Sequence, residues 1–213
     1  MPFTFPKIYP ILDSSVIPSV GRTEYLTRLG AALMNAGVTL LEYRNKMGSE
    51  EEILEDAAAL RDVMPSGSVK LILDDRVDLV GPIGFDGAHV DAGDLSPEQA
   101  RRILGPDRIV GTFGGGDELV PGILEAPVDY LAIGPIFETR TKRTDKRPIG
   151  IDGVRRLREK AGAHVVLSAA AGITLETAGP LLDAGASMVA VAEAIFRASD
   201  PAAEFARWMR VLG

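Results

Sequence analysis

The chain has 213 residues, 46% hydrophobic and 25% charged, enough for a full core in a single domain spanning residues 1–213. A formal charge of −7 leaves no basic field for a nucleic acid, and the absence of cysteine excludes disulfides, thiolate metal sites and a thiol nucleophile. No apolar run reaches the ~18 residues of a membrane span, and the N-terminus lacks a signal peptide's basic start and long apolar segment, so a cytoplasmic protein without membrane partners is expected.

Apolar, β-rich runs occur at 7–12, 39–44, 70–74, 87–90, 108–112, 130–134, 164–168 and 188–192. Helical patterns lie between them at 22–36, 49–64, 77–80, 97–104, 117–124, 150–161, 175–184 and 201–211. Eight strands, each followed by a helix, predict an α/β fold of the (β/α)8 TIM-barrel type with compact loops. A doubly wound open sheet would show the same local alternation, but the count of eight and the lack of a Gly-rich dinucleotide turn after the first strand argue against it. Boundary residues agree with this division. Ser96-Pro97 and Thr174 to Thr177 read as helix starts, and Gly37 and Gly185 as helix ends.

In such a barrel the informative residues follow the strands, at their C-terminal ends. The second run ends in Glu42, Arg44 and Lys46, which alternation points the same way. Inward charges need a ligand or each other: Arg44 and Lys46 could hold a pyrophosphate, or Glu42 and Arg44 could pair internally. The third and fourth runs end in Asp74, Asp75, Asp91 and Asp94. If these strands are parallel neighbours, Asp74, Asp75 and Asp94 share one rim. Clustered carboxylates with oxygen-only chemistry suit a hard cation such as Mg²⁺ shared with substrate phosphates; the alternative is solvated loop acids or N-caps.

The sixth run opens into a long loop, 134–148, that concentrates basic residues and three threonines in an otherwise acidic chain. Its position on the functional rim reads as a lid closing on a metal-bound pyrophosphate, against the alternative of a solvated charge run. After the seventh run, the small residues 169–172 would let backbone N–H groups approach a phosphate; Glu193, after the eighth, would repel one. His89 reads as a satisfied core residue rather than a base, His164 has no evident acidic partner, and Phe205 and Trp208 read as packing residues.

Together these segments resemble the thiamine phosphate synthase family and its thiazole tautomerase relatives. The resemblance covers nearly the whole chain and is carried by Arg44 to Lys46, Leu73 to Leu79, Gly87 to Val90 with Asp94, Asp129 to Lys142, Ala171 to Thr174 and Asp183 to Ala186. It implies a Mg²⁺-dependent transferase of thiamine biosynthesis. Hydroxymethylpyrimidine diphosphate would lose pyrophosphate and be captured by a thiazole phosphate through a dissociative path. By position it makes Asp75 and Asp94 the metal ligands, and Arg44, Lys46 and Lys142 the catalytic candidates. Glu42, Asp74, Thr139, Thr141, Gly172 and Glu193 become further substrate contacts.

The chain departs from the family's usual pattern at Glu42, Asp74, Phe113, Gly115, Gly116, Ala171 and Glu193. Two of these changes add negative charge beside expected phosphates, which leaves open a diverged paralogue that binds a phosphorylated or pyrimidine ligand without this activity. The Gly-rich 115–116 segment disfavours the tautomerase branch. A homo-oligomer is compatible with the sequence and is not decided by it.

Overall fold

The computed structural model describes residues 3–91, 93–138 and 147–213. Its eight strands are β1 (Ile8–Asp13), β2 (Leu40–Arg44), β3 (Lys70–Asp74), β4 (Gly87–Val90), β5 (Ile109–Gly115), β6 (Tyr130–Ile133), β7 (Leu167–Ala170) and β8 (Met188–Val191). All are parallel, each pairs with its sequence neighbours, and β8 returns to β1 to close the barrel. Around it run α1 (Arg22–Asn35), α2 (Glu50–Val63), α3 (Val77–Val80), α4 (Pro97–Leu104), α5 (Gly150–Ala161), α6 (Leu175–Asp183), α7 (Glu193–Phe196) and α8 (Pro201–Leu212).

Alternation along the strands separates two cores. Outward residues such as Leu41, Tyr43, Leu71, Leu73 and Val90 pack beneath the helices, which contribute Leu26, Leu60, Leu157, Phe205 and Trp208. Inward residues Tyr9, Leu40, Ile72, Ile109, Tyr130 and Met188 fill the lumen, with Phe3 and Phe5 packed against them. Space in the lumen is set by residue size. A Cβ on Gly111 would overlap the Tyr130 ring, so glycine there is what admits the aromatic side chain.

Two expectations need correction. No α-helix forms at 117–124: the segment holds only a 3-10 turn, Ile123–Glu125, because Pro121 and Gly122, the latter at φ 76°, break the helical path. The rule of one helix after every strand therefore fails after β5. That strand also runs on to Gly115, with a shift in register between Phe113 and Gly115. The seventh strand starts at Leu167 rather than at 164, since the Arg158 guanidinium takes the carbonyls of Gly162 and Val165, leaving His164 in an exposed turn.

Arg158 belongs to a device used three times at the N-terminal rim. Arg61, Arg101 and Arg158 each lie near a helix C-terminus and hold the carbonyls of the following turn. Each also reaches a polar side chain just before the next strand but one, respectively Asp86, Asp129 and Ser187. That side chain in turn accepts from the backbone N–H of Leu71, Val110 or Leu167. The staples tie each helix end to two strand starts and satisfy carbonyls that would otherwise lack partners. Among the described residues no helix is long and apolar enough to cross a membrane.

Asp86 accepts from Arg61 at 2.6 Å, Lys70 at 2.8 Å and the Leu71 amide at 3.0 Å. Asp86→Ala is therefore expected to lower unfolding free energy by ~3 kcal/mol in urea titrations. A loss below ~0.5 kcal/mol would contradict a structural role for the staple.

Candidate active site

Strand register gathers the charges. Asp13 is level with Arg44 across β1 and β2, and Asp74 with His89 across β3 and β4. Arg44 pairs with Asp13 through Nη1 and lies 3.2 Å from Asp74 Oδ2 through Nε. Lys46 Nζ sits 3.0 Å from the same Asp74 oxygen and pairs closely with Asp75 Oδ2. Asp74 is buried, and burial raises its pKa while His89 and Lys46 pull it down.

Lys46 is aimed by the turn that carries it. Asn45 Oδ1 accepts from Ser14 Oγ at 2.9 Å and Gly48 N at 2.8 Å, while Nδ2 donates to Tyr43 Oη at 3.0 Å and Glu52 Oε1 at 2.7 Å. Tyr43 donates in turn to buried Asp56, which Arg22 clamps with Nε at 2.7 Å and Nη2 at 2.6 Å.

Asp75 adopts φ 64°, a left-handed conformation that Asp tolerates better than most residues, and its N–H donates to His89 O at 2.9 Å. Its Oδ1 is buried without a hydrogen-bond partner. Asp94 is held by the Asp91 N–H, which donates to its Oδ2 at 2.9 Å. Its pKa is raised by burial and then by the adjacent Asp75 carboxyl, so the two acids face each other with like charge. Among the described residues no set of three or more acidic, His or Cys side chains is arranged to hold a metal ion.

Below this layer is a polar cluster that sequence reading missed. Glu42 is 3% exposed and accepts from Tyr9 Oη at 2.6 Å; Tyr9 Oη lies 2.9 Å from Tyr130 Oη, and His89 Nδ1 lies 3.0 Å from the same Tyr130 oxygen. His89 Nε2 is 3.8 Å from Asp91 Oδ1. Burial pushes Glu42 up to about 7, with Asp74 adding to the rise and His89 opposing it. Burial disfavours the charge on His89, but Asp91, Glu42 and Asp74 raise its pKa overall. His89 is thus a buried, partnered residue as expected. The internal Glu42–Arg44 ion pair is replaced by Glu42–Tyr9 and by Arg44 with Asp13 and Asp74.

The opposite half of the mouth is lined by small residues. Ile136 N and Phe137 N donate to Ala170 O and Ala171 O at 2.9 and 3.1 Å, and on the far side of 139–146 Ile149 N and Gly150 N donate to Pro135 O and Ile136 O. Both ends of that loop are therefore anchored at the rim. A Cβ on Gly172, at φ 69°, would collide with the Glu138 carbonyl. Glu193 starts α7 and pairs with Arg197 at 3.1 Å, beside a shallow crevice that Ile11 and Asp13 of β1 also line.

A family model for thiamine monophosphate synthase matches residues 8–195. The chain belongs to the thiamine monophosphate synthase family. A thiamine-phosphate synthase of Koribacter versatilis is 42% identical over 186 residues, 87% of each chain. One from Agrobacterium fabrum is 36% identical over 192 residues, 89% of this chain and 87% of that one. A thiamine phosphate pyrophosphorylase structure from Pyrococcus furiosus superposes with a TM-score of 0.82 at 25% identity, covering 97% of this chain and 95% of the other.

In this thiamine monophosphate synthase family chain, Glu42, Arg44, Lys46, Asp74, Asp75 and Asp94 share the β2–β4 side of the mouth. Gly172 and Glu193 follow β7 and β8. Thr139, Thr141 and Lys142 lie outside the described residues. Tyr9, Asp13 and Tyr130 were missed because inside apolar strands only register distinguishes lumen from helix-facing positions.

Ala171 has φ 82°, which is strained for a residue with a Cβ. Ala171→Gly should raise stability by ~0.5–1 kcal/mol in urea unfolding, whereas destabilisation would show that the methyl group's packing outweighs the strain.

Proposed function

We propose that this chain joins hydroxymethylpyrimidine diphosphate to a thiazole phosphate, giving thiamine phosphate and pyrophosphate. The observation that carries the reading is the pairing of Asp75 and Asp94, one with an open buried oxygen, beside the cations Arg44 and Lys46. An all-oxygen pair whose like charge Lys46 offsets only in part fits Mg²⁺, which commonly takes one or two carboxylates and completes its shell with water and substrate phosphate. Asp75 and Asp94 would hold the ion, and when bound it would neutralise charge on the diphosphate leaving group.

Arg44 and Lys46 supply the rest of the positive field. They are paired with Asp13, Asp74 and Asp75. A diphosphate would exchange these partners for its own oxygens, with Arg44 offering a planar fork and Lys46 a mobile point charge. As the C–O bond breaks, these groups stabilise the departing pyrophosphate, and the walls hold the thiazole nitrogen in line with the pyrimidine's exocyclic carbon. The short side chains of Ala132 and Ala170 on the opposite side would leave room for flat rings. Lys142, Thr139 and Thr141 are proposed to close over the diphosphate. Glu42 and Asp74 are proposed as contacts to the pyrimidine half, and Glu193, bordering the β8 end, to the thiazole half. The substrates are soluble phosphorylated small molecules, consistent with cytoplasmic work.

Purified protein should form thiamine phosphate from the two substrates with Mg²⁺ and none with a chelator. Asp75→Asn should lower kcat/KM by at least ~100-fold while circular dichroism stays unchanged. Turnover within threefold of the parent protein would remove Asp75 from the metal site.

A further inference from the structure

Asp56 is a buried acid that the proposed reaction does not use. It sits in the helix layer on α2 and is 1% exposed. Arg22 of α1 holds it through Nε at 2.7 Å and Nη2 at 2.6 Å, and the same Nη2 reaches Glu52 Oε1 at 3.1 Å. Tyr43 faces outward from β2, between Glu42 and Arg44, and donates to Asp56 Oδ2.

The turn carrying Lys46 has little else to hold it. β2 ends at Arg44, Met47 is 94% exposed, and among the described residues no backbone-to-backbone hydrogen bond reaches 46–48. The Asn45 side chain closes this turn instead. Its Oδ1 accepts from Gly48 N at 2.8 Å, and a Cβ on Gly48 would overlap Asn45 Nδ2 and Glu52 Oε1.

The direction of this chain of hydrogen bonds is fixed by its backbone end. A backbone N–H can only donate, so the Gly48 bond pins Asn45 Oδ1 as an acceptor and turns Nδ2 towards Tyr43 Oη at 3.0 Å and Glu52 Oε1 at 2.7 Å. The amide nitrogen can only donate and a phenol carries one proton, so Tyr43 accepts from Asn45 and gives its proton to Asp56. Asp56 is thus the acceptor that leaves the Tyr43 lone pair free for Asn45.

The geometry points to Asp56 as a positioning residue: acting through Tyr43 and Asn45 from outside the barrel wall, it holds the Lys46 turn in the form that meets a diphosphate. The inference rests on the proposed reading of Lys46 as a diphosphate contact. It adds that the aim of this cation is set in the helix layer, by an ion pair that touches no substrate. Lys46 ends in a point charge on a flexible stem, so a turn fixed beforehand reduces the freedom lost on binding. With the relay cut, Lys46 keeps its charge and loses its preset position.

The test is a double-mutant cycle read by calorimetric titration of pyrophosphate with Mg²⁺ into the full chain, Tyr43→Phe, Lys46→Met and the double variant. Tyr43→Phe keeps the Arg22–Asp56 pair and cuts the relay. With Lys46 present it should weaken binding at least ~tenfold, and in the Lys46→Met background less than ~twofold, because a residue acting through Lys46 is silent once Lys46 is gone. Asp56→Asn in the same cycle should show the same coupling. A merely structural role would cost as much in both backgrounds. That equal cost, no cost in either, or a folded Asp56→Asn without the coupling overturns the inference. Should Asp56→Asn fail to fold, the Tyr43→Phe cycle decides alone. Unchanged pyrophosphate affinity in Lys46→Met alone would sink Lys46 as a diphosphate contact and the inference with it, a result distinct from lost coupling.

Discussion

Among the described residues the barrel mouth concentrates more carboxylates than cations. Asp13, Asp74, Asp75 and Asp94 converge on Arg44 and Lys46, and strand register brings them there. Two unit charges ~4 Å apart interact by about 4 kcal/mol at an effective dielectric of 20, so an unpaired carboxylate here is a substantial burden on the fold. A diphosphate entering this site would worsen the imbalance if it came alone. Arriving with a divalent cation, as proposed, it would relieve the Asp75–Asp94 repulsion and would release Arg44 and Lys46 to its own oxygens. The proposed selectivity for a metal-bound anion would rest on these same residues.

The rest of the structure holds that cluster in place. Arg22, Asp56, Tyr43 and Asn45 fix the turn bearing Lys46, and the arginine staples tie the opposite rim. Local strain is found at the mouth, at Asp75 and Ala171. The mouth divides into a charged half over β1–β4 and a small-residue half over β6–β8, a division suited to joining a charged leaving group to flat rings.

Much of this was legible in the sequence, for identifiable reasons. Parallel strands buried on both faces read as apolar runs, and the carboxylates that terminate β3 and follow β4 mark the functional rim. The segment 117–124 misled because its apolar spacing suggested a helix that Pro121-Gly122 prevents, and β7 because Arg158, not sheet pairing, holds the residues before it. The buried cluster of Tyr9, Glu42, His89 and Tyr130 was invisible for another reason: its members come from four strands, and only barrel closure makes them neighbours. Glu42 read as an added charge beside phosphates becomes, in its lumen setting, a group that burial pushes towards neutrality.

The most direct test of the charge imbalance is calorimetric titration of pyrophosphate into the protein with Mg²⁺ and with a chelator, repeated on Asp75→Asn and Asp94→Asn. Binding at least ~tenfold tighter with Mg²⁺ in the parent protein, and loss of that difference in both variants, is the expected result. Equal pyrophosphate affinity with and without the metal would contradict it.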